Sequence, residues 1–369
     1  MNNKINETHQ IGPLSVFFFT NVMQIGIGFL SFQQIVTRFG HQDAWLSITI
    51  SGLSTLGVMW LILRLLENES HYGRADLFSI QYRVFGKWIG GLLNFLMLFH
   101  VFIFAVAFLR SYIEILQVWL FPQLPMLSFS ILFCAIIWYV VMGGIRSISG
   151  VTLLSFIYMI PLFLSCIFVV PQAHFSNLLP ILDNNPKSII ISCFYATRNF
   201  LGFELILYYY PFIKQPKEAK KWAYFGLLTT LYIYLMVIIL GILYFSRNEM
   251  QNTIWPTITF WKSVHFPLIE HIDIICIILL LWNLIPNISL CSWILTRGIK
   301  FSFPSIKMKY SLIAILILFI IMTECVQNGL QVKLLNNFYN LYGFCIIYFY
   351  IPLLLFAQWL KKKWGQRAT

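Results

Sequence analysis

Two stretches of the chain carry polar residues in a spacing that can do chemistry. Asn21-Val22-Met23-Gln24-Ile25-Gly26-Ile27-Gly28-Phe29-Leu30-Ser31 interrupts an apolar run from residue 11 to 36. Tyr195-Ala196-Thr197-Arg198-Asn199-Phe200-Leu201-Gly202-Phe203-Glu204 interrupts a second run, 187 to 213. At about 1.5 Å per residue each run is long enough for a helix to cross a bilayer. Glycine costs a helix about 0.5–1 kcal/mol relative to alanine and lets the backbone leave helical geometry. In lipid, freed N–H and C=O groups persist only where they face protein or a polar cavity. The chemistry this predicts is binding of a small polar ligand by unwound backbone near mid-membrane. Gly26 and Gly28 also fit as small contacts for close helix packing, and the second interruption weighs toward the ligand. A broken helix offers N–H groups that favour an anion and carbonyls that suit an ammonium or a sodium ion. Two facing breaks therefore suit a zwitterion such as an amino acid, with Gln24, Ile25, Gly26, Ile27, Gly28, Asn199, Gly202 and Phe203 around it.

Charged groups at membrane depth cost at least about 2.5–3.5 kcal/mol each, so every one needs a partner or a purpose. Arg198 and Glu204 flank the second break and can contact ligand, pair with each other, or hold the half-helices in place. Arg110 and Glu114 are four apart on one helix face, the spacing of a structural ion pair. His100 reads as a packed, hydrogen-bonded histidine. Asn283, Pro286, Asn287, Ser289 and Ser292 make a polar, kinked stretch, with Asn283 and Asn287 as further ligand candidates. Phe99, Phe102 and Phe203 can shape an apolar side-chain pocket, although phenylalanine fills 35 of 369 positions and serves as generic core. Glu270, His271 and Asp273 sit where a helix begins, and the helix dipole suffices to explain them. There is no phosphate-binding glycine loop, His-Glu-x-x-His or Gly-x-Ser-x-Gly, so no enzyme, catalytic residue or cofactor is expected. The seven cysteines lie in apolar segments without a Cys-x-x-Cys, which predicts buried thiols and no metal site.

Only 10% of residues are charged, 59% are hydrophobic and the mean hydropathy is +0.78. Soluble domains carry about 25% charged residues, so the chain is expected to be an integral membrane protein. The apolar runs are continuous rather than alternating, which predicts helices and not a barrel. Ten spans are read: 11–36, 45–66, 88–120, 126–143, 150–170, 187–213, 220–245, 268–296, 310–326 and 338–360. The net charge of +12 resembles a nucleic-acid signal until the basic residues are placed. With the amino terminus inside, 18 fall in cytoplasmic segments and 5 outside, while Arg110 and Arg198 lie within spans. That asymmetry is topology, not nucleic-acid binding, and it predicts cytoplasmic termini. The amino terminus lacks a basic n-region and a cleavage site, so the first helix is expected to be retained. Ten spans form one transmembrane domain of two five-span halves, 11–170 and 187–360. An odd count per half makes the second enter from the opposite face, the condition for an inverted repeat with helices 1 and 6 broken.

The sequence resembles the B subunits of bacterial spore germinant receptors, within the amino acid–polyamine–organocation transporter superfamily. The resemblance rests on Gln24-Ile25-Gly26-Ile27-Gly28 with Leu30-Ser31, Phe85-Gly86-Lys87-Trp88, Asn177-Leu178-Leu179-Pro180, Phe200-Leu201-Gly202-Phe203-Glu204, Pro211-Phe212-Ile213-Lys214 and Trp255-Pro256-Thr257. It implies an all-α LeuT-like fold in the inner membrane of the spore, in complex with a larger A subunit and a lipoprotein C subunit. It implies too that a germinant, commonly an amino acid and sometimes a sugar or nucleoside, binds and triggers germination. Relatives often continue Leu-Ser with Leu-Pro-Arg, whereas this chain has Phe32-Gln33-Gln34, so ligand identity does not carry over. The alternatives are a proton- or sodium-coupled amino acid transporter and a scaffold with a vestigial pocket.

Overall fold

The computed structural model describes residues 9–263 and 271–365, which form helices and one isolated bridge. The first expected span is split into α1 (Leu14–Gln24), a 3-10 turn at Ile27–Leu30, and α2 (Phe32–Gly40). Then come α3 (Ala44–Ser70), α4 (Leu77–Trp119), α5 (Met126–Met142) and α6 (Gly144–Ser165). The sixth expected span is split into α7 (Pro186–Thr197), two 3-10 turns around Gly202, and α8 (Ile206–Tyr209). After it come α9 (Pro216–Tyr244), the short α10 (Arg247–Asn252) and α11 (Pro256–Ser263), α12 (Ile272–Ser302) and α13 (Met308–Cys325). The last element is α14 (Gly329–Cys345), which continues through a π turn into α15 (Ile351–Gly365).

Helices begin where a side chain can satisfy an orphan N–H. Asp76 accepts from Ser79 N (2.9 Å) at the start of α4, and Asn185 with Pro186 opens α7. Reciprocal capping boxes, Ser246 with Glu249 and Asn328 with Gln331, open α10 and α14. The hydrogen bonds from Ser246 hold the Glu249 carboxyl below its ordinary range.

Seven helices are long and apolar enough to cross a membrane, and an eighth arises if the pair 186–200 and 203–212, bent by 48°, is one span. The other two expected spans fall to α1–α2, divided by its break, and to α5, with only 17 residues. Several bounds move. The third span was read from 88, but α4 starts at Leu77 and turns at Gly86, whose φ of 80° and ψ of −178° suit glycine. The fifth starts at Gly144 rather than 150, and the tenth runs from Gly329 rather than 338, because caps and turns set starts that hydropathy blurs. The eighth is described from Ile272, with Asp273 in its first turn, while Glu270 lies outside the described residues. Cys134, Cys166, Cys276 and Cys291 are buried as expected, Cys193 is half-buried, and Cys325 and Cys345 are exposed instead, on outward helix faces.

The bundle has two distinct ends. At one, Ile11 N donates to Phe212 O (2.8 Å), Lys214 N donates to Ile11 O (3.0 Å), and Lys361 reaches the Arg83 carbonyl. Ile11 and Lys361, near the two ends of the described residues, therefore lie at the end of the bundle that carries the α3–α4 connection. At the opposite end Asp43 accepts the backbone N–H groups of Leu182, Asp183 and Asn184 (2.8, 3.1 and 3.2 Å), pinning the segment before α7. There too Gln33 donates to Thr257 Oγ1 (2.8 Å), which donates to Phe29 O (2.9 Å), so α11 is latched onto the first break.

Gly86 and Gly150 separate backbone strain from side-chain room, since a methyl group meets nothing within 4 Å at either. Gly86→Ala should lower stability by about 1–3 kcal/mol, because its conformation is nearly closed to other residues. Gly150→Ala, in regular helix, should raise it by about 0.5–1 kcal/mol. Thermal unfolding of the detergent-solubilised protein distinguishes the two; equal effects would refute the bend at Gly86.

Candidate functional site

The two breaks meet. A methyl group on Gly202 would lie 2.6 Å from the Met23 carbonyl oxygen, and Gly202 has φ of 117°, so only glycine fits this approach of backbone to backbone. Gln24 Nε2 donates to Phe200 O (2.8 Å), tying one break to the other. Asn199 is buried with its Oδ1 facing Gly28, and Phe203 is buried beside the same turn.

Carbonyls released by the first break are taken by neighbouring side chains. Asn283 donates to Ile25 O, Asn287 donates to Val22 O (3.2 Å), and the Tyr234 hydroxyl donates to Gln24 O (3.0 Å). Ser155 Oγ in turn donates to Asn283 Oδ1 (3.3 Å). Asn283 and Asn287, expected as ligand candidates, thus have their amides directed at the α1 backbone. On the donor side the picture differs. The N–H groups of Gly26, Ile27 and Gly28 make no hydrogen bond to the backbone or to a described side chain. Three carbonyls of the break are thus engaged, while these N–H groups are not.

Glu204 does not pair with Arg198. Its Oε2 accepts from Gly202 N (2.7 Å) and its Oε1 lies 3.1 Å from His100 Nε2, with both side chains buried. Glu204 therefore braces the turn from within, and His100 anchors that brace to α4. His100 itself stacks on Tyr339, centroids 5.6 Å apart. Arg110 also differs from expectation. No ion pair with Glu114 forms within 4 Å; the guanidinium donates to the carbonyls of Val326 and Gln327 (3.0 Å for the second), at the C-terminal end of α13. Those carbonyls are the negative pole of a helix and compete well for a cation.

Phe99 is 37% exposed and edge-on to Phe338 and Tyr342 on the outside of the bundle, and Phe102 stacks on Phe319. The aromatic against the break is instead Phe108, whose ring occupies the space a methyl group on Gly26 would need. Phe104 joins Phe108 to Tyr339, with centroids 4.3 and 5.4 Å apart. His100, Phe104 and Phe108 recur every four residues, and that stripe was the available signal.

A cavity of about 530 Å3 opens on the end of the bundle opposite the chain ends. Ile27, Ser31 and Arg198 form part of its lining, so it reaches the outer half of both breaks. Ser111 and Glu114 of α4 and Asn336 of α14 face them, with Asn336 Nδ2 donating to Ser111 Oγ (3.0 Å). Among the described residues no cluster of three or more His, Cys, Asp or Glu is arranged to hold a metal.

Residues 10–329 match the family described as spore germination protein. Spore germination protein GerQB of Bacillus cereus is 33% identical over 355 residues, 96% of this chain and 97% of the relative. Spore germination proteins B2 and A2 of Bacillus subtilis (strain 168) are 27% and 22% identical, over 72% and 92% of this chain and 72% and 93% of theirs. Among solved structures, a substrate-bound, outward-open Na+-coupled sialic acid symporter superposes with a TM-score of 0.62 at 11% identity, over 94% of this chain and 80% of the symporter. Mhp1, a nucleobase-cation-symport-1 family transporter in a closed conformation with bromovinylhydantoin bound, gives 0.62 at 13% identity, over 96% and 80%. The fold is the all-helical, LeuT-like one of these transporters.

The two glycines should respond differently to a second substitution. Gly26→Ala collides with a side chain and Gly202→Ala with backbone, so Phe108→Ala should rescue the first and not the second. Each single variant should lose roughly 1–3 kcal/mol, the range of overpacked or strained cores. Yield and thermal stability in detergent check this; rescue of Gly202→Ala by Phe108→Ala would refute the contact between the breaks.

Proposed function

We propose that this chain, which belongs to the spore germination protein family, is the germinant-sensing membrane subunit of a spore germination receptor. A small nutrient, an amino acid in our reading, enters from the cavity, meets the breaks in α1–α2 and α7–α8, and triggers germination. The observation that carries this reading is the cavity reaching Ile27 and Arg198, where unoccupied backbone donors lie. A ligand there bridges the two half-helix pairs, so differential binding can shift their arrangement. That the relatives are spore germination proteins supports a receptor role.

In this proposal the protein sits in the spore inner membrane with cytoplasmic termini, beside an A subunit and a lipoprotein C subunit. Its halves, 11–170 and 187–360, are the two inverted repeats. A second reading is favoured by the fold, shared with two symporters: an amino acid transporter coupled to protons or sodium. Fold alone does not assign function. The α6 sequence holds no lysine or carboxylate to carry a coupling proton, which leans toward the sensor.

Purified protein in liposomes, offered radiolabelled amino acids, separates the readings. Saturable binding without accumulation is expected, with or without an imposed gradient. Accumulation driven by a proton or sodium gradient would establish the transporter instead.

A further inference from the structure

The sensor reading leaves open how a ligand's charges are recognised. Facing breaks suit a zwitterion only if both poles are available, and here the carbonyls of Ile25, Val22 and Gln24 are engaged by Asn283, Asn287 and Tyr234, while that of Met23 packs against Gly202. A ligand ammonium needs another acceptor. Glu114 is the one carboxylate among the described residues lining the cavity. It makes no hydrogen bond, and no ion pair within 4 Å, with a described residue, and Arg110 is turned to the α13 carbonyls. One of its oxygens faces Gly329 at the start of α14, where the helix dipole favours a negative charge.

Arg198 is the complementary case. It is half-buried at the end of α7, lines the cavity, and its guanidinium makes no hydrogen bond or ion pair with a described residue. Its expected partner, Glu204, is occupied by Gly202 and His100. A guanidinium is a planar fork that matches a carboxylate with two parallel hydrogen bonds. Holding it unpaired at membrane depth is costly, and a ligand carboxylate removes that cost. Ile27, whose N–H is unoccupied, lines the same cavity, and that donor favours the same charge. Arg38 and Lys333 also line the cavity; both are exposed, and they make its entrance cationic.

We propose that the cavity recognises a zwitterion by its two ends: the carboxylate on Arg198 and the adjacent break, the ammonium on Glu114. This rests on the ligand-receptor reading and names the two residues that would hold the opposite charges of its amino acid ligand. Ser111 and Asn336, hydrogen-bonded to each other on the wall by Glu114, add neutral polar contacts that position the same end.

The test is binding to the full chain in lipid nanodiscs, using each of the twenty amino acids, with glucose and uridine as uncharged probes. For any amino acid that binds, its carboxamide and its N-acetyl form follow. At least one free amino acid should bind, and both derivatives should bind about tenfold more weakly or worse, the scale of one charge-assisted contact. Arg198→Gln and Glu114→Gln should each raise Kd by about the same factor, with Arg198→Lys intermediate because it keeps charge but not the fork. Ligand-free melting temperature establishes that the variants fold; if Arg198→Gln does not, the derivatives and Glu114→Gln decide alone. Equal amino acid binding by wild type and both variants would overturn the two-ended site while leaving the receptor. Binding of glucose or uridine but no amino acid would overturn the zwitterion and again leave the receptor. Binding of no probe at all would count against both.

Discussion

A polypeptide that interrupts two helices at membrane depth must find partners for the backbone it releases, and this requirement organises the rest of the molecule. An unsatisfied amide in that environment costs several kcal/mol, more than most single side-chain contacts return. The bundle answers with amides and hydroxyls delivered from three directions: Asn283 and Asn287 from α12, Tyr234 from α9, and Gln24 from the broken helix itself. None of these residues tolerates an apolar replacement without exposing a carbonyl. The close approach of Gly202 to Met23 then fixes the relative position of the two breaks.

The answer is incomplete in one direction, and that asymmetry separates structure from function. The carbonyls of Val22, Gln24 and Ile25 have partners, whereas the N–H groups of Gly26, Ile27 and Gly28 have none among the described residues. Glu204 contributes to the same imbalance: by accepting from Gly202 and meeting His100, it turns its charge inward and leaves Arg198 to the cavity. A scaffold gains nothing from an unpaired guanidinium and an unoccupied amide, those of Arg198 and Ile27, lining one cavity. A protein that takes in an anionic or zwitterionic solute does. The fold is shared with symporters that differ in substrate, so recognition resides in these few groups and not in the architecture.

The far end of the bundle is coupled to the first break through one short chain of hydrogen bonds. Gln33 and Phe29 both engage the Thr257 hydroxyl, so α11 is held at the very turn that carries the glycines. The Gln33 side-chain amide supplies that latch. Asp43 performs a similar service for the segment before α7, bonding three successive N–H groups. The two broken helices are thus each tied to their own surface segment. A change at either break has a direct mechanical route to the surface.

Much of this was legible in the residues alone. Mean hydropathy and scarce charge specify a helical membrane protein, because both are sums over the chain and need no geometry. Glycine beside polar residues within two apolar runs marks the breaks, because helix propensity is local. The partners were not legible. Arg110 and Glu114 are neighbours on one helix, yet α13 offers Arg110 a better site. Glu204 is six residues from Arg198 and meets His100, 104 residues away. Phe99 and Phe108 lie on the same helix with the same composition around them, and only the rotation of α4 decides which faces Gly26. Sequence determined where the backbone would break and that it would break inside a membrane, since those follow from local energies. Tertiary structure decided which broken groups remain available, because that depends on where distant helices cross.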